Sequence, residues 1–195
     1  MTYINPQATA IPTIGLDGTI TSLQTDLSAL TWLSKCFHRA YRHSEQSQST
    51  NNRTNVVPKT WEAGNEWINV LPNDNLPAQA FFYPISDEDV TEFDNQFDPL
   101  MEADICLIVW VNTTQLVNHT TGPSLAYEKA DVINVLKASD LVLSIDSIVD
   151  RSAAEIFDPF TVDDVRNHFT MLPFAGFRVN FKVKFDYIEC STISS

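Results

Sequence analysis

The sequence predicts an α+β fold: a mostly antiparallel sheet with an N-terminal amphipathic helix and a second helix packed on it. Three observations carry that prediction. Near the C-terminus Phe177, Val179, Phe181, Val183, Phe185 and Tyr187 alternate with Arg178, Asn180, Lys182, Lys184 and Asp186. That is the period of a strand with one buried and one wet face, which antiparallel sheets tolerate better than parallel ones. Ile105 to Val111 is an unbroken apolar run, short enough for a strand and apolar on both faces, which places it centrally in the sheet. Leu23, Leu27, Leu30, Leu33, Phe37 and Tyr41 recur at three- and four-residue steps, the mark of a helix over roughly 22–43.

Taken in order, residues 1–20 read as an extended arm, because Pro6, Pro12, Gly15 and Gly18 interrupt any period. The remainder, 21–195, reads as a single domain. Thr21-Ser22-Leu23-Gln24 has the form of a capping box for the first helix. The far end of that helix carries Lys35, His38, Arg39, Arg42 and His43, where positive charge suits the helix dipole. Residues 44–60 are expected to be an exposed loop, since Ser44 to Asn55 is polar and low in complexity.

Glu66 to Leu71 and Ala78 to Tyr83 are rich in β-formers and are separated by the turn-forming Pro72-Asn73-Asp74-Asn75-Leu76-Pro77, so an antiparallel pair is expected there. Asp87, Glu88, Asp89, Glu92, Asp94, Asp98, Glu102 and Asp104 follow with no Lys or Arg among them, a local acidic surface. A helix is expected from Ser124, ending at Ser139-Asp140, then a strand or extended segment from Leu141 to Val149. Ser152-Ala153-Ala154-Glu155 is a second capping-box match, cut short by Pro159, and Thr161 begins a further short turn.

Composition narrows the function. With 195 residues and 44% apolar content the chain can bury one core. Twelve basic against 25 acidic residues give a net charge of −13, which argues against binding nucleic acid through phosphates and against anionic membranes. A negative wall nevertheless suits a conduit through which DNA slides without sticking. The N-terminus lacks the pattern of a secretory signal, and no apolar run reaches the length of a membrane helix. Cys36, Cys106 and Cys190 are odd in number and far apart, unlike a disulfide framework.

Catalytic and metal patterns are not found. With five glycines the chain has neither a nucleophile elbow nor a phosphate loop. Cys36 and His38, two apart on a helix, would point to different faces, so a core cysteine beside a surface histidine is the simpler reading. The 87–104 acids lack the EF-hand spacing and its central glycine, which favours a solvated loop over a calcium site. His43, His119 and His168 sit in polar stretches and are expected at the surface. No cofactor is expected, and the chain is not read as an enzyme. Trp61, Trp67 and Tyr83 leave open a carbohydrate- or ligand-binding module of a phage or bacterial surface assembly.

An N-terminal amphipathic helix, hairpin strands, the apolar strand from Asp104 to Asn112, the helix from Ser124 to Ala138 and the alternating strand from Gly176 to Ile188 resemble the element order of tail-completion and neck proteins of tailed bacteriophages. The segment Trp67-Ile68-Asn69-Val70-Leu71-Pro72-Asn73-Asp74-Asn75 is similar in composition to virion proteins of crAss-like gut phages. The resemblance implies a tail-terminator-like fold and a homo-oligomeric ring, assembled in the host bacterial cytoplasm into the virion. Such a ring contacts portal, neck or tail proteins and lines the DNA channel without specific binding. On that reading Lys35, Arg39 and Arg42 on one subunit would face Asp87, Glu88, Asp89, Glu92 and Asp94 on the next.

Overall fold

The computed structural model describes residues 14–46, 54–62, 66–72, 75–93, 99–116, 124–161 and 171–186. Its elements are α1 (Gly15–Leu27), β1 (Lys35–Gln46), β2 (Thr54–Glu62), β3 (Glu66–Asn69), β4 (Ala78–Pro84), β5 (Asp89–Phe93), β6 (Pro99–Asn112), α2 (Ala126–Ala138), β7 (Val142–Val149), α3 (Ala153–Ile156) and β8 (Phe174–Phe185). The class is α+β, with a mixed, mostly antiparallel sheet in the order β3-β2-β1-β4-β6-β8-β7 and β5 added to β6.

The two sequence patterns read most directly become the centre of the sheet. β6 and β8 pair antiparallel from Met101↔Phe185 to Asn112↔Phe174 without a register break. Because side chains alternate across a strand, Met101, Ala103, Ile105, Leu107, Val109 and Val111 share one face with Phe177, Val179, Phe181, Val183 and Phe185. α1 covers this face with Leu16, Ile20, Leu23 and Leu27, each at most 2% exposed, and α2 adds Val132 and Leu136. Burying such aliphatic side chains stabilises by about 1.5–3 kcal/mol each.

The second face is divided. Phe81, Cys106, Ile108 and Trp110 are buried there under Ile156, Phe157 and Phe160, which the α3 turn supplies. The rest of that face stays wet: Glu102 and Asp104 on β6 face Lys184 and Lys182 on β8. Lys182 Nζ lies 3.5 Å from Glu102 and 3.7 Å from Asp104. The acidic 87–104 stretch is therefore partly strand, and it is neutralised in part by β8, basic residues distant in sequence.

Four expectations are corrected. The helix over 22–43 is a shorter helix, α1, followed by a strand. α1 closes at Leu27, where Ser28 Oγ donates to the Thr25 carbonyl at 2.6 Å. Leu30 and Leu33 keep the helical spacing only because the turn after α1 also seals the core. From Lys35 the chain pairs with β4 and then with β2, and these ladders override the local period. The same helix begins at Gly15, within the 1–20 arm, because Leu16 and Ile20 have a core to enter; residues 1–13 lie outside the described residues. The 44–60 loop is replaced by β1 to Gln46 and β2 from Thr54. The antiparallel pair expected between Glu66–Leu71 and Ala78–Tyr83 does not form: β3 pairs with β2, whereas β4 pairs with β6 and, in parallel, with β1.

The expected second helix and the strand after it appear as α2 and β7, and Ser152 caps α3 by accepting from the Glu155 N–H at 3.3 Å. The turn expected from Thr161 lies almost wholly outside the described residues.

β1 divides its partners. Lys35, Cys36 and Arg39 align with β4, a register shift falls between Cys36 and Arg39, and Ala40–Gln46 pairs with β2. β1, β2 and β3 thus leave the main sheet as a ribbon.

A glycine matters at the β6–β8 centre. Gly176 stands opposite Trp110, and a Cβ added there would meet Trp110 Cε3 at 2.0 Å and the Val109 carbonyl oxygen at 2.6 Å. Gly176→Ala is expected to destabilise the fold by about 1–3 kcal/mol, the usual cost of overpacking, read as a lower urea midpoint with an unchanged m-value.

Candidate functional site

Of the predicted interface residues, the basic set lies on a strand and is engaged within the chain. Lys35 Nζ is 3.0 Å from Glu62 Oε1 and Arg39 Nη1 is 3.5 Å from Asp17 Oδ1. The exposed Arg42 flanks the Tyr83 phenol; burial raises the pKa of that phenol, and Arg42 opposes the rise. Asp87 and Asp89 are exposed and Glu88 is half-buried. Glu92 belongs to β5, and Asp94 lies outside the described residues. Lys35 and Arg39 thus have acidic partners within the chain, while Arg42 is exposed.

The aromatic candidates separate as well. Trp61 and Trp67 face each other across β2 and β3 with ring centroids 5.2 Å apart, crossed at 67°. Tyr41 approaches Trp67 at 5.4 Å and His43 at 4.4 Å. These rings pack on one another as a small cluster on the ribbon. Tyr83 lies elsewhere, 4.9 Å from Phe160 on the second face of the main sheet.

The histidines also differ from expectation. His38, read as a surface residue, is 5% exposed. Its Nε2 is 3.1 Å from both the Thr21 hydroxyl and the Asp17 carbonyl oxygen. Since the Thr21 hydroxyl already donates to Asp17 O at 2.9 Å, Nε2 carries the proton and donates. His43 is half-buried against Trp67, while His119 and His168 lie outside the described residues. The signal for His38 was available only through the strand: on β1 it faces α1, and on a helix it would not.

Among the described residues, no three His, Cys, Asp or Glu side chains gather as a metal site. Cys36 and Cys106 are free thiols, each pushed up to about 12 by burial; Cys190 lies outside the described residues.

One surface with exposed apolar side chains is the far end of the sheet. β7 pairs with β8 on one side and has no strand on the other among the described residues. It exposes Leu143 and Ile148, at 46% and 39%. Two register shifts, between Val142 and Ser144 and between Ile145 and Ser147, interrupt its ladder. Such irregularities discourage further strand addition, so contact there would be made by side chains. Sequence reading located the strand but not its edge position, which is a property of strand order.

Two outcomes are expected from the buried groups. Burial holds the His38 pKa below its ordinary 6.5, against the raising effect of the Asp17 carbonyl. The unfolded chain takes up the proton near 6.5 and the folded chain resists it, so this stability is present above about pH 6.5 and is lost as pH falls towards the folded value. His38→Gln should flatten the fall in urea midpoint between about pH 7 and pH 5, with His43, also lowered by burial, left in both proteins. The thiols give the second outcome: native protein treated with iodoacetamide near pH 8 should leave Cys106 unmodified by peptide mapping, and denaturant should expose it. No protein-family model matches the chain, and no curated protein matches it.

Proposed function

We propose that the chain is a structural, non-enzymatic subunit that assembles into a homo-oligomeric ring in the neck or tail of a tailed phage, with a tail-terminator-like subunit fold, joining head and tail around the DNA channel. The observation that carries this reading is the asymmetry of the sheet's two ends. One end is β7, with exposed Leu143 and Ile148; the other is the β1–β2–β3 ribbon, which carries the Trp61–Trp67 cluster. Joining unlike ends of identical chains makes a heterologous contact, and repeated heterologous contacts close into rings when the rotation permits.

The net charge of −13 supports the conduit part, because a negative lumen repels the phosphate backbone that slides through it. Subunit contact on this reading is apolar and depends on ribbon and edge. Lys35 and Arg39, already paired within the chain, play a smaller part.

Electron microscopy and native mass spectrometry of the purified chain, alone and with portal or tail proteins, test this. Rings of identical subunits are expected, and Leu143→Lys with Ile148→Lys should release folded monomers, since both side chains are solvent-exposed in the subunit. A chain that stays monomeric with every such partner, or a ring whose lumen is lined by basic groups, overturns the assembly and conduit parts respectively.

A further inference from the structure

A buried cation opens a different possibility. Arg178 is 6% exposed, and a guanidinium so far out of water ordinarily has a carboxylate beside it. Here its Nε donates to Asn180 Oδ1 at 2.7 Å and its Nη1 to the Asp158 carbonyl oxygen, both neutral acceptors. Among the described residues no carboxylate forms an ion pair with it. Asn180 is in turn fixed by donating from Nδ2 to Ser147 Oγ at 2.9 Å. The Nε and Nη1 side of the guanidinium is therefore held, and of its five donors those on Nη2 have no hydrogen-bond partner among the described residues.

Arg178 lines a cleft of about 430 Å³ between β7, β8 and α3, whose other walls are Val149, Ala154, Glu155, Asp158 and Asn180. The cleft is open to solvent, so a ligand there would be held mainly by its charged groups. The charges in the wall decide which kind. A simple anion would meet Arg178 but be repelled by Glu155 and Asp158; a simple cation would meet the two acids but be repelled by Arg178. A ligand bearing both charges satisfies all three.

We propose that this cleft binds a free α-amino acid. Arg178 takes the carboxylate through its unused donors, Glu155 and Asp158 face the ammonium, and Val149 and Ala154 contact the side chain. Arg178 is suited to the first role because the N–H groups left on Nη2 can donate charge-assisted hydrogen bonds to a carboxylate oxygen. The site is independent of ring assembly and would be present in a monomer.

Nitrogen-15 spectra of the chain, titrated separately with each standard amino acid and with acetate, methylammonium and phosphate to about 10 mM, test the proposal. At least one amino acid should shift amides around Val149, Glu155 and Arg178 saturably, with acetate, methylammonium and phosphate binding at least about tenfold more weakly. Glu155→Gln, a change on the exposed rim, should weaken that amino acid by about tenfold without altering the rest of the spectrum. Arg178→Met should abolish binding, and if that variant fails to fold the Glu155→Gln result decides. No response to any amino acid, a response to acetate or phosphate as strong as to the amino acid, or unchanged affinity in Glu155→Gln overturns it.

Discussion

The rest of the structure depends on the pairing of β6 with β8. These strands run antiparallel over their whole common length, and each contributes one row to each face of the sheet. The row that faces α1 and α2 is aliphatic and aromatic without a gap, so the helices have one continuous surface to cover. Gly176 is what lets the pair close at its far end: the Trp110 ring occupies the space that any side chain at 176 would need. A strand glycine ordinarily weakens a sheet, and here it permits the close approach of an aromatic ring.

The opposite face shows how one pair of strands serves two environments. At the Trp110 end the β6 residues are apolar and are covered by Phe157 and Phe160. Towards Met101 the same face turns to Glu102 and Asp104, matched across the ladder by Lys184 and Lys182. Asp104 is the main reason the Lys182 ammonium has a raised pKa. Arg178 and Asn180 occupy the boundary between the dry and wet halves, and for that reason a buried charge and an open cleft meet there.

The extent to which this fold was legible varies with the kind of constraint. β6 and β8 could be read because burial on two faces and on one face leave different signatures in composition, apolar run against strict alternation. α2, β7 and the Ser152 cap were legible for similar local reasons. β1 was not, because Leu30, Leu33, Phe37 and Tyr41 fall at helical intervals while occupying a turn and then a strand, and nothing local marks the change at Lys35. Strand partners were hidden too: β3 and β4 are neighbours in sequence, yet each finds its ladder elsewhere. The cleft at Arg178 depends on three elements meeting, and the β7 edge depends on strand order. Alternation shows that Arg178 lies off the apolar row of β8, but not that α3 will cover it.

The β6–β8 ladder also sets a timetable for synthesis. About seventy residues separate the end of β6 from the end of β8. At roughly 5–20 residues per second several seconds pass before the second strand is complete. During that interval Ile105 to Val111 has β4 available on one side and no native partner on the other. A nascent chain with so apolar an edge is open to pairing with other copies of itself, so yield should depend on how quickly β8 follows.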